Sequence, residues 1–140
     1  MTIIRLNMAL ALWLTLTSCA PVSMLGTKAQ PVHIIADTEL HDAMQDMADR
    51  IAVIALLSVD SNLHIEKKRN RIIPLLDEIQ TIASDIDGNG AVTNFSVVNR
   101  YMGSFLYDVS LAKQFASQQP PNLVPAERLI KSCLSCHESI

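Results

Sequence analysis

Apolar residues recur along most of this chain at steps of three and four, the spacing that puts side chains on one face of an α-helix. The first such stretch runs from about Asp37 or Thr38 to Val59, with Leu40, Met44, Met47, Ile51, Ile54, Ala55 and the following leucines as its apolar stripe. Asp42, Gln45, Asp46, Asp49 and Arg50 fall mostly on the other side, and Thr38 is the expected N-cap. Ser61 and Asn62 interrupt the pattern. A second helix is predicted from about His64 to Ser84 on Ile65, Ile72, Leu75, Leu76, Ile79, Ile82 and Ala83. Pro74 lies inside it, where the missing backbone donor should kink or divide the helix.

A third helix is predicted from about Asn94 to Ser117, with Phe95, Val98, Met102, Phe105, Leu106, Val109, Ala112, Phe115 and Ala116 on one side. Gly103 in its interior costs about 1 kcal/mol relative to Ala and would permit close approach by a neighbour or a flat cofactor. Gln118-Gln119-Pro120-Pro121-Asn122 ends that helix, and Pro125 suits the first turn of a fourth, which continues to the chain end through Ala126, Leu129, Ile130, Cys133, Leu134 and His137. No segment alternates with a period of two, and no internal repeat is present. The expected fold class is therefore all-α, an antiparallel four-helix bundle over residues 37–140.

The segment Asp85-Ile86-Asp87-Gly88-Asn89-Gly90 between the second and third helices is a turn by composition. It resembles the start of a calcium loop, with Asp85, Asp87 and Asn89 at ligand positions, Gly90 sixth and Val92 eighth. Ser96 stands where the motif requires a bidentate Glu, so calcium at Asp85, Asp87 and Asn89 is disfavoured.

Composition changes the picture mainly at the N-terminus, because the hydrophobic content of 49% is inflated by the first two dozen residues. Arg5 precedes an apolar run from Met8 to Leu16 that is too short to span a bilayer and ends in small residues, which is the layout of a secretory signal. Leu16-Thr17-Ser18-Cys19 resembles a bacterial lipobox. That resemblance implies a lipoprotein signal peptide over residues 1–18, a lipid on Cys19 as mature N-terminus, and, with Ala20 rather than Asp next, the outer membrane. Cleavage a few residues away, leaving Cys19 an odd thiol, is the alternative. Residues 19–36 contain Pro, Gly, Ser, Thr and Lys without a sustained period and read as a tether, with His33 exposed in it. A net charge of −3 and the lack of a basic patch argue against nucleic acid as a partner. The run Glu66-Lys67-Lys68-Arg69-Asn70-Arg71 reads as a solvated helix face.

The chemistry concentrates in Cys133-Leu134-Ser135-Cys136-His137. C-x-x-C-H is the attachment signature of c-type haem, in which two thiols add to the porphyrin vinyl groups and the adjacent imidazole ligates the iron. On a helix, positions 133, 136 and 137 share a face. A zinc site would need a fourth ligand, a thioredoxin-like dithiol would need a preceding strand and a low thiol pKa, and a plain disulfide would leave His137 without a role. Export agrees with haem, since in bacteria c-type haem is attached outside the cytoplasm.

With Met44 on the first helix and Cys133, Cys136 and His137 on the last, the stretch from Thr38 to the end resembles the class II cytochromes c, the cytochrome c′ family. The resemblance implies one covalent haem c in the bundle core near the C-terminal helix, with His137 proximal and Met44 at the position that covers the other face. In low-spin relatives that Met ligates iron; in cytochrome c′ proper an apolar residue blocks the site, and the five-coordinate iron binds gases such as NO or CO. Met47, one turn on, and His41, three residues before Met44, compete for the role, and both methionines also suit plain core filling. His64, at a helix start, is expected to be exposed. Glu138-Ser139-Ile140 lacks the Lys or Arg that the family often carries after the motif.

The expected function is that of a one-electron carrier in the periplasm, lipid-anchored and exchanging electrons with a redox protein or respiratory membrane complex. A gas-binding protein and a haem-stabilised helical adaptor are the alternatives. No set of nucleophile and base argues for an enzyme. Family members often pair, so a homodimer is compatible with the resemblance.

Overall fold

The computed structural model describes residues 31–138. The expected signal peptide, Cys19 and most of the expected tether lie outside the described residues. The elements are β1 (Val32–His33), α1 (Asp37–Val59), α2 (Ile65–Ile86), β2 (Val92–Thr93), α3 (Ser96–Ala116), α4 (Val124–Glu127) and α5 (Leu129–His137). The fold is all-α, with neighbouring helices packed. α1 lies on α2, α2 on α3, and α3 on α4 and α5, which both return to α1.

The three-and-four periodicity places the core. Ile51, Ile54 and Leu57 of α1, Ile72, Leu76, Ile79 and Ala83 of α2, and Val98, Val109, Ala112 and Ala116 of α3 are buried together. Burying each larger aliphatic side chain stabilises the fold by about 1.5–3 kcal/mol, which outweighs helix propensity as the reason these segments stay helical. The stripe is narrower than expected on α1, where Ala55 is exposed and Leu56 is 69% exposed.

α2 continues through Pro74 and is not divided there. Pro74 is exposed and forfeits one backbone bond, while Ile72 and Leu76 on either side are fully buried and hold the adjoining turns in place. The expected fourth helix, by contrast, is broken at Arg128. Its N–H is shared between the carbonyls of Val124 at 3.3 Å and Pro125 at 3.2 Å, a tightening that lets Ala126 and Leu129, three residues apart, both reach the core. α1 begins at Asp37 with Ala36 in the capping position. The Glu39 carboxylate accepts from the Ala36 N–H at 3.4 Å, so Thr38 lies inside the first turn and is not the cap. His64 caps α2, its Nδ1 accepting from the Glu66 N–H at 3.4 Å, and it is exposed as expected. A Cβ added at Gly103 would meet nothing within 4 Å, so no protein neighbour approaches this glycine closely.

The tether ends earlier than residue 36. Val32 and His33 pair in parallel with Val92 and Thr93, and Ile35 is buried in the core. Asn94 takes the place of a strand neighbour for Ile35: its Oδ1 accepts from the Ile35 N–H at 2.8 Å and its Nδ2 donates to the Ile35 carbonyl at 3.0 Å. Asn99 does the same for Thr93, at 2.7 and 2.9 Å, and α3 therefore begins at Ser96 rather than Asn94. His33, expected to be exposed, is half-buried over Gly88, where φ is +56° and an added Cβ would lie 2.8 Å from the His33 ring.

The acidic turn is closed on itself. Asp85 and Ile86 belong to the last turn of α2, and the Asp87 carboxylate accepts from the Gly90 N–H at 2.8 Å. A polar groove lined by Asp77, Asp85 and Asn89 also takes in Lys113, whose ammonium pairs with Asp77 at 2.5 Å and so supplies positive charge there.

The Asn94 clamp generates a stability prediction. Asn94→Ala leaves both backbone groups of Ile35 without their partner and should lower unfolding free energy by about 1–3 kcal/mol, read as a lower urea midpoint at unchanged slope. Wild-type midpoint in that variant would show that β1 is not held by this side chain.

Candidate haem-attachment site

α5 carries the whole C-x-x-C-H motif. Its placement follows from Leu129, which is 1% exposed and anchors the first turn in the core. Three residues on, the Ser132 hydroxyl donates to Asp108 Oδ2 on α3 at 2.6 Å. Cys133, next in the chain, is half-buried against the core; Cys136 is half-buried and His137 exposed at the helix end. Ile130 and Leu134, expected on the inner side, are 45% and 52% exposed.

The motif opens onto a cavity of about 400 Å³ between α1, α3 and α5. That volume lies within the roughly 300–1,000 Å³ typical of sites for small ligands and cofactors. Cys133, Cys136 and His137 line it from α5, and Met44 and Met47 line it from α1. The candidate residues at the two ends of the domain thus share one chamber. Met47 is 4% exposed and belongs to the core, whereas Met44 is half-buried. His41, the other candidate beside Met44, is exposed and is not part of the lining.

α3 contributes side chains to which the sequence reading assigned no role at the site. Met102, 5% exposed, adds a third thioether, and Tyr101 and Asp108 add polar groups. Tyr101, Phe105 and Asp108 follow one another at four and three residues, so they share a face. The available signal was an acid and a phenol on the flank of an apolar stripe, with nothing in the sequence to say that a cavity lay beside them. Lys131, exposed, and Ser132 add to the polar part of the wall, with Ser104 and Ser135.

Both motif thiols are free. Burial pushes the Cys133 thiol pKa up, and the charge of a Cys136 thiolate would add to the shift; burial pushes Cys136 up as well. An attacking dithiol needs the opposite, a thiolate stabilised by nearby positive charge. Among the described residues, no group of three or more His, Cys, Asp or Glu side chains is gathered so as to hold a metal ion. Cys133, Cys136 and His137 therefore lie along a wall and do not surround a point.

The sign of the thiol shifts fixes an alkylation profile. Because both pKa values are raised, the thiolate fraction at neutral pH is below that of an ordinary cysteine, and the rate should climb to its plateau at higher pH than for a free thiol. In the chain without adduct, iodoacetamide should modify Cys136 before the more buried Cys133. Fast modification of either residue at pH 7, followed by mass spectrometry, would contradict the burial of the pair. No protein-family model, curated protein or solved structure matches this chain, so the meaning of the cavity rests on its own residues.

Proposed function

We propose that the chain is a c-type haem protein and that its function is one-electron transfer. The observation that carries this reading is the meeting of Cys133, Cys136, His137 and Met44 on one cavity, although they come from opposite ends of the domain. The donor set suits the group. Two thiols sit a helical turn apart, an imidazole follows the second, and a thioether stands on a different helix. The ring of helix packing supports the antiparallel four-helix bundle of the class II cytochromes c, the family we infer for residues 37–140.

Covalent haem c supplies an iron centre that exchanges single electrons. Cys133 and Cys136 would hold the group by thioether bonds, and His137 would offer its imidazole to the iron. Met44, half-buried in the second turn of α1, would offer its thioether as a further ligand, while Met47 and Met102 fill space around it. Val97, Val98 and Phe105 in the wall limit water in the chamber, which strengthens electrostatic control of the centre. The exposed end of α5 at His137 provides a short route between the chamber and a partner surface.

The lipobox-like stretch ending at Cys19 places the protein, on this proposal, in the periplasm with a lipid anchor in the outer membrane. The 13 residues from Cys19 to Pro31 reach at most about 45 Å. That length keeps the domain close to membrane redox proteins and raises their effective concentration.

The exported mature polypeptide should carry one haem adduct on the Cys133–Cys136 peptide by mass spectrometry. No adduct, in a host that matures its other cytochromes, would end the haem reading. The reduced protein should show a low-spin spectrum that carbon monoxide leaves unchanged, and Met44→Ala should convert it to a form that binds the gas. A wild-type protein that takes up carbon monoxide at once would instead favour a gas-binding role of the cytochrome c′ type.

A further inference from the structure

We propose that Asp108 is a positioning and tuning residue of this site: bonded to Ser132, it holds the attachment helix on α3, and as an anion in the cavity wall it favours the oxidised state of the bound iron. The inference rests on the haem reading above and adds to it a residue outside the C-x-x-C-H motif.

Asp108 is half-buried on α3 and lines the cavity. Its Oδ2 accepts from the Ser132 hydroxyl at 2.6 Å, within the short range for bonds to an ionised acceptor. Ser132 directly precedes Cys133, so the bond fixes the turn of α5 from which the first thioether tether springs. Among the described residues, Asp108 takes part in none of the salt bridges, which join Arg50, Arg69 and Lys113 to other acids. A hydroxyl partner orients the carboxylate without neutralising it. Its charge therefore stays directed at a chamber to which Met, Val, Leu and Phe side chains supply much of the apolar wall.

The sign follows from Coulomb's law. Oxidised haem iron carries one more positive charge than reduced iron, and a fixed anion nearby stabilises the more positive state, lowering the reduction potential. Lys131 in the same wall opposes this, but it is exposed and water and salt screen it. The half-buried carboxylate dominates.

Three variants of the haem-loaded full chain separate charge from clamp. Asp108→Asn removes the charge but keeps an oxygen that accepts from Ser132; Ser132→Ala keeps the charge and removes the bond; Lys131→Gln removes the screened cation. Midpoint potentials are read by spectral titration, and amide exchange of residues 129–137 is read by mass spectrometry with and without haem. Asp108→Asn should raise the potential by up to a tenfold change in the reduction equilibrium, about 59 mV for one electron, with α5 exchange unchanged. Ser132→Ala should speed α5 exchange severalfold while the potential moves much less, and Lys131→Gln should lower the potential slightly and leave exchange alone. An unchanged or lowered potential in Asp108→Asn overturns the tuning role, and unchanged α5 exchange in Ser132→Ala overturns the clamp. A wild-type chain without adduct sinks the parent reading and the tuning role together, whereas exchange in the haem-free chain still decides the clamp.

Discussion

The docking of α5 on α3 is the constraint on which the candidate site depends. A helix of nine residues is too short to be stable alone in water, so its conformation and its facing are set by what it touches. Leu129 in the core and the Ser132–Asp108 bond are two of the contacts that hold it, beside Cys133 against the core. They fix both the axial position and the rotation of the helix, and rotation is what turns Cys133 and Cys136 toward the cavity.

The other wall has an equivalent anchor at the opposite end of the chain. Asn94 grips the backbone of Ile35 two residues before α1 starts, and Ile35 itself is buried. The first two turns of α1, carrying Leu40 and Met44, are thereby tied to the segment that leads into α3. A short parallel strand pair would contribute little by itself. Joined to an amide side chain that satisfies both backbone groups of Ile35, it fixes where α1 begins and so which methionines face the chamber.

Between these anchors, the helices pack closely along most of their length but leave a cavity where α1, α3 and α5 meet. Its walls combine thioether, aliphatic and aromatic groups with the motif side chains and with polar groups that include Tyr101, Asp108, Lys131 and three serines. On the proposed reading, such a lining does two jobs. It keeps water from an iron centre, and it makes each remaining charge count for more than it would in solvent.

Much of this was legible in the chain itself. The spacing of Ile51, Ile54, Ile72, Leu76, Ile79 and Val109 determined α1 to α3, because burial of a stripe repeats at the helical period whatever the partner. The C-x-x-C-H motif likewise determined which residues belong to one helical face, since that is a local property. Tertiary structure alone decided the rest. The strand pair of Val32 and Val92 carries no period, the break at Arg128 arises because Ala126 and Leu129 must both reach the core, and Pro74 is tolerated because its neighbours are pinned. The sharing of one cavity by Met44 and Cys133, the place of His41 outside its lining and the presence of Asp108 in it depend on how separate helices are rotated against one another. Local periodicity sets which side of a helix is buried, whereas only packing between helices sets what that side meets.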